Sequence, residues 1–197
     1  MKSCVNLALP LCLLAASALA QPDRETPSAG ENAAMEAMMQ AATPGEPHRL
    51  LDRLVGSWDA EVTMWIDPSG PPVVSSGVSE NRWILGGRWI EQRFRGTFQG
   101  AEFEGLGHYG YDNVKKKYLS SWMDNFSTWM MTAEGRTDAG GKLIHRGRSW
   151  DSMQGREVEI EDRTTFVGSD HVKSEMFSSG ADGRPVKVME IHYKRKK

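Results

Sequence analysis

Past residue 20 this sequence contains no cysteine, because both of its thiols, Cys4 and Cys12, fall before that point. The rest of the chain therefore forms no disulfide, offers no cysteine nucleophile and builds no thiolate metal site. Charge of one sign is also missing. The formal net charge is −2, or −3 when Lys2, the one charged residue among residues 1–20, is set aside. Without a basic stripe, electrostatics give no support to nucleic-acid binding, and the Lys194-Arg195-Lys196-Lys197 tail reads as a solvated end. No apolar run beyond residue 20 is long enough to cross a bilayer. Catalytic and metal signatures are absent as well: there is no His-Glu-x-x-His and no Gly-x-Ser-x-Gly. Gly105-Leu-Gly-His-Tyr-Gly110 has the spacing of a dinucleotide fingerprint, yet it lies inside a strand pattern and opens no helix for a phosphate.

The N-terminus supplies the first positive signal. Lys2 is followed by an apolar run over residues 5–19 that ends in Ala18-Leu19-Ala20. This is the n-region, h-region and small-x-small site of a signal peptide, so export to the periplasm or medium is expected, with Gln21 as the mature N-terminus. Leu11 stands before Cys12, where lipid attachment requires a small residue. Residues 21–45 read as a flexible spacer with a short helix over 32–41. Thr43 is placed to cap a second helix, with Pro44 at its first position and Glu46 three residues after the cap. Leu50, Leu51 and Leu54 give that helix an apolar face, and Gly56 ends it.

From Ser57 the apolar period changes to two. Trp58, Ala60, Val62 and Met64 alternate with Asp59, Glu61 and Thr63, the pattern of a half-buried strand. Further strands are predicted over residues 73–85, 88–98, 102–111, 117–123, 128–136, 143–150, 157–167, 171–178 and 186–194. Glycine, asparagine and aspartate mark the breaks, Gly86-Gly87 most clearly. About ten closely spaced antiparallel strands without helical crossovers predict an all-β, single-domain up-and-down barrel over residues 46–197, since closure removes the sheet edges.

Alternation nominates the interior. With Ile90, Phe94 and Phe98 inward, Gln92 is inward too; Tyr109 shares a face with Phe103 and Tyr111. Trp122 groups with Asp124, Met130 with Glu134, and His145 with Leu143. His192 groups with Val186 and Val188. Gln92, Tyr109, Trp122, Met130, Glu134 and His145 are thus candidates for lining a site in which aromatic and thioether groups supply apolar contact and a few polar groups supply orientation. The seven tryptophans and eleven methionines fit such a lining and fit ordinary core filling equally well.

Longer motifs carry a resemblance. Leu54-Val-Gly-Ser-Trp58, Met64-Trp-Ile-Asp-Pro68, Asn81-Arg-Trp-Ile-Leu-Gly-Gly-Arg88 and Phe103-Glu-Gly-Leu-Gly107 resemble a bacterial family known only as domain of unknown function 1579. Gly110-Tyr-Asp-Asn113, Lys115-Lys-Lys-Tyr118, Trp122-Met-Asp124 and Val186-Lys-Val-Met-Glu-Ile191 extend the match. The resemblance implies a calycin-type, lipocalin-like barrel and no established reaction, ligand or catalytic residue. Gly56-Ser57-Trp58 is also similar to the opening of lipocalins and of the haem-binding nitrobindins. In the latter an axial histidine precedes a terminal Tyr-x-Arg; here that position falls near Val188, ahead of Tyr193-Lys194-Arg195. No haem, and no other cofactor, is expected.

Three functions follow as expectations: a barrel binding a small apolar ligand, a hydrolase or proton-transfer enzyme using Glu134 or His145, and an interaction module whose barrel is a scaffold. Oligomeric state is not legible. Export has a direct test. Intact-mass analysis of the exported protein should give a soluble chain beginning at Gln21, and an uncleaved N-terminus held in the membrane fraction would overturn the cleavage assignment.

Overall fold

The computed structural model describes residues 28–67, 70–152, 155–180 and 182–197. The signal peptide expected over residues 1–20 lies outside them, as does the spacer as far as residue 27. Helix α1 (Ala29–Ala42) starts three residues before the expected helix because Ser28 and Glu31 form a reciprocal capping box. It has no buried residue and is tied to the rest of the chain by Asn113 Nδ2, which donates to the carbonyls of Ala41 and Thr43. Helix α2 (Glu46–Leu51) is capped by Gly45 rather than Thr43: the Gly45 amide donates to Nδ1 of His48 at 3.1 Å, and the proline of the first turn is Pro47. A 3-10 turn, Asp52–Leu54, continues it.

Ten strands follow: β1 (Gly56–Met64), β2 (Val73–Ile84), β3 (Trp89–Phe98), β4 (Ala101–Asp112), β5 (Lys117–Asp124), β6 (Met131–Thr137), β7 (Leu143–Asp151), β8 (Arg156–Phe166), β9 (His171–Ser179) and β10 (Pro185–Arg195). Each pairs antiparallel with its neighbour in sequence, and β1 pairs with β10 to close the barrel. The up-and-down barrel read from the alternation is the fold. Strand β6 begins at Met131 rather than at residue 128, which leaves Trp129 and Met130 in the preceding loop.

Helix α2 and its 3-10 turn plug one end. Leu51 and Leu54 enter a buried cluster with Trp58, Ile90, Tyr118, Leu143 and Val172. A fully buried leucine contributes about 2 kcal/mol. The carbonyl of Leu54 accepts from Trp58 Nε1 at 2.9 Å and from Asn81 Nδ2 at 2.8 Å, and Trp83 Nε1 donates to Asp52 at 2.7 Å. A second cluster, Ala60, Val62, Phe94 and Ile191, lies further along the lumen.

At the β2–β3 turn Leu85, Gly86 and Gly87 all take positive φ, at 50°, 65° and 81°. A Cβ on Gly87 would meet no atom within 4 Å, so a side chain there tests backbone strain alone. Gly87→Val should destabilise by about 1–3 kcal/mol, read from the denaturation midpoint. An unshifted midpoint would show that the turn relaxes without cost.

Candidate functional site

The barrel has two unlike ends. The plug fills one. At the other, the exposed apolar residues Phe126, Met130 and Trp150 form a rim, and neither helix packs across it. Inward-facing Phe103, Trp122, Met131, Met176 and Met189 near this mouth are only partly buried. Trp122 stacks parallel to Phe103 with centroids 6.4 Å apart, and its Nε1 donates to Asp124 at 2.9 Å. At Gly105, diagonal to Trp122 across the β4–β5 pair, a Cβ would overlap the indole ring; the glycine makes room for it against the wall.

Toward the plug the lumen becomes polar. Tyr109 donates to Gln92 Oε1 at 3.2 Å, and Gln92 Nε2 donates to Ser79 at 2.9 Å. Ser79 donates to Asn81 Oδ1 at 2.8 Å, and Asn81 reaches the Leu54 carbonyl. The relay runs from mid-lumen to the plug with its donors pointing toward the helix. Asn81, Gln92, Tyr109 and Tyr193, with Thr164 and Ser174, line a cavity of about 30 Å³, room for a water molecule or two.

Two ionisable groups flank this region. Asp162 faces inward from β8 and accepts from Ser174 and from Thr164. Burial pushes its carboxyl up to about 6, opposed by those two hydroxyls and reinforced by the charge of Glu175. Its register partner on β7 is His145, 1% exposed, with no hydrogen-bond partner on either ring nitrogen. Burial lowers the His145 pKa to about 4, so the imidazole is neutral at physiological pH. Desolvation also raises Tyr109 and Tyr193 above the ordinary phenol range. Tyr109, Asp162 and Tyr193 lie deep in the barrel yet keep some accessible surface, as wall groups of an interior that is not filled solid.

The structure brings Gln92, Tyr109 and His145 together at the polar level and puts Trp122 nearer the mouth. Met130 and Glu134 are corrections. The inward residues of β6 are Met131, Ala133 and Gly135, so Glu134 points outward to an ion pair with Lys117, and Met130 is 54% exposed. The small residues are required there because a Cβ at Gly135 would crowd the His145 ring. His192 is a further correction. A register shift between Lys187 and Met189 reverses the parity of β10, so His192 stacks on His171 outside the barrel and meets Glu190 at 2.9 Å. Asp162, Ser174 and Tyr193 are interior groups that the sequence reading did not single out. Asp162 was recoverable by parity, two positions beyond inward Val158 and Ile160. Among the described residues no group of three or more His, Cys, Asp or Glu is arranged to hold a metal ion.

The family profile described as "Protein of unknown function (DUF1579)" matches residues 43–195, and the chain belongs to that family. No curated protein matches the sequence. Among solved structures, the S-type phycobiliprotein lyase CPES from Guillardia theta is 11% identical with a TM-score of 0.53, over 81% of this chain and 97% of the lyase. A de novo designed fluorescence-activating β-barrel is 15% identical with a TM-score of 0.41, over 74% of this chain and 95% of the design. At 11% identity the likeness to the lyase is one of fold.

The Asp162 environment gives a stability test. Its unfolded carboxyl ionises near 3.8 and its folded one near 6, so the charge opposes folding increasingly from about pH 4 to 6 and fully above. His145 acts in the other direction: stability falls as the pH drops from 6.5 toward 4, because the unfolded imidazole protonates first. Asp162→Asn should therefore stabilise at neutral pH by at most about 3 kcal/mol, because Asp162 keeps some accessible surface, and the gain should vanish near pH 4. Urea titrations at both pH values decide it, and a variant destabilised at neutral pH would refute the assignment.

Proposed function

We propose that this member of the family binds a small molecule with a largely apolar body, taken into the lumen through the open end. The observation that carries this reading is the partial exposure of inward Phe103, Trp122, Met176 and Met189, opposite an end sealed by α2. Large apolar side chains facing a solvent-accessible interior leave hydrophobic area unburied, and a ligand gains about 25 cal/mol for each Å² it covers. The polar level beneath would orient the bound molecule through a few hydrogen bonds and adds little net affinity, since each replaces a bond to water. The apolar body lies toward the mouth, because the cavity at the polar level, about 30 Å³, is too small for it. On the strength of residues 1–20, the protein is proposed to do this outside the cytoplasm.

An uncharged, environment-sensitive naphthalene dye should bind saturably at micromolar concentration and perturb tryptophan emission. Trp122→Ala should weaken the dye about tenfold or more, by removing an indole that buries much of its area against the ligand, while the thermal midpoint stays within a few degrees. A broad panel of neutral apolar molecules with no saturable binder would sink the proposal and leave the barrel as a scaffold for its rim, where Phe126, Trp129 and Trp150 are exposed.

A further inference from the structure

We propose that the lumen selects a ligand whose polar end is a cation, an amine or amidinium, and rejects carboxylates; this rests on the ligand-binding reading above. Among the described residues, the inward strand positions between plug and mouth hold no lysine or arginine, and their carboxylates are Asp162 at the polar level and Asp124 and Asp151 at the mouth ends of β5 and β7. The strand cations stand on the outer face, apart from two at the ends. Arg156 is exposed at the rim, where it donates to the carbonyls of Ser179 and Gly180. Arg195 is held at the plug, stacked on Trp58 and donating to the carbonyls of Val55 and Ser169. Neither faces Asp162.

The neighbouring groups add acceptors rather than positive charge. His145, beside Asp162 in register, is neutral above about pH 4 and keeps a nitrogen lone pair without a partner. Tyr109 gives its proton to Gln92, which leaves its oxygen lone pairs free. Ser174 and Thr164 give theirs to Asp162, and each carboxylate oxygen keeps accepting capacity. Two unpartnered, fully buried ring nitrogens are unusual, and they add no positive charge beside Asp162. An incoming carboxylate would instead meet an ionised Asp162 in a poorly solvated space with no compensating cation. A like-charge contact of that kind costs several-fold more than it would in water.

Three probes with the same apolar body, ending in ammonium, hydroxyl or carboxylate, test the sign. Measurements belong near pH 8, where Asp162 is ionised, in enough salt to screen the outer wall. The ammonium probe should bind at least about tenfold tighter than the carboxylate, and Asp162→Asn should bring the two within about threefold of each other. A carboxylate probe that binds the wild type as tightly as the ammonium probe overturns this inference and leaves the ligand-binding reading standing. An ammonium preference that survives in folded Asp162→Asn overturns it too, because the selectivity would then arise elsewhere. Saturable binding of none of the three defeats the ligand-binding reading itself, and this inference with it.

Discussion

The stacking of Arg195 on Trp58 holds both the barrel seam and its plug. The two residues are register partners across the closing pair β1–β10, and the guanidinium lies 4.0 Å from the indole ring centre. The indole Nε1 donates to the Leu54 carbonyl, while Arg195 Nη1 donates to the carbonyl of Val55 at 2.7 Å. One cation–π contact thus joins the last strand, the first strand and the helical plug. A side chain at Gly56 would collide with that guanidinium, which explains a glycine where the chain leaves the plug and enters β1. Closure at the seam gives β1 and β10 their second neighbours and so leaves no open edge.

The interior shows a trade between packing and vacancy. Large rings are accommodated by neighbouring glycines on the same face: Trp122 by Gly105 and His145 by Gly135. Near the mouth, inward Phe103, Trp122, Met176 and Met189 stay only partly buried. Deeper in, the fold places an aligned relay of phenol, amide and hydroxyl groups ending at the Leu54 carbonyl, with a carboxylate, Asp162, held separately by Ser174 and Thr164. A core chosen for stability alone would avoid such an arrangement, because buried polar groups at best break even.

Most of the fold was legible in the alternation. The strand series, the helix before Trp58 and the Gly86-Gly87 turn all follow from period and turn chemistry, and the inward positions of Gln92, Tyr109 and His145 follow from parity. Parity failed where its apolar markers were missing. On β6 the inward face is Met131, Ala133 and Gly135, two of them too small to register as a buried stripe, so the larger Met130 was assigned inward in their place. On β10 the irregularity beside Val188 shifts the count by one, and a bulge leaves no mark in composition. Asp162 escaped notice for a third reason. It sits in the run Glu157-Val-Glu-Ile-Glu-Asp-Arg163, which reads as a solvated charged face unless the two apolar residues are used to set the phase.

The outer wall carries its own consequence. Arg82 and Arg93 grip Glu91, Arg146 and Arg163 grip Glu161, and Lys173 and Lys187 meet Glu175 and Glu190, all on outward positions. Each pair contributes little to stability by itself. Together they wrap the cylinder in alternating sign, the inverse of a porin-like barrel, whose lipid-facing band is apolar and whose lumen is wet. A hydrocarbon environment would strip water from every one of those ions. The wall is therefore bound to the aqueous phase, and any guest that avoids water has to make the crossing between membrane, partner and barrel at the rim.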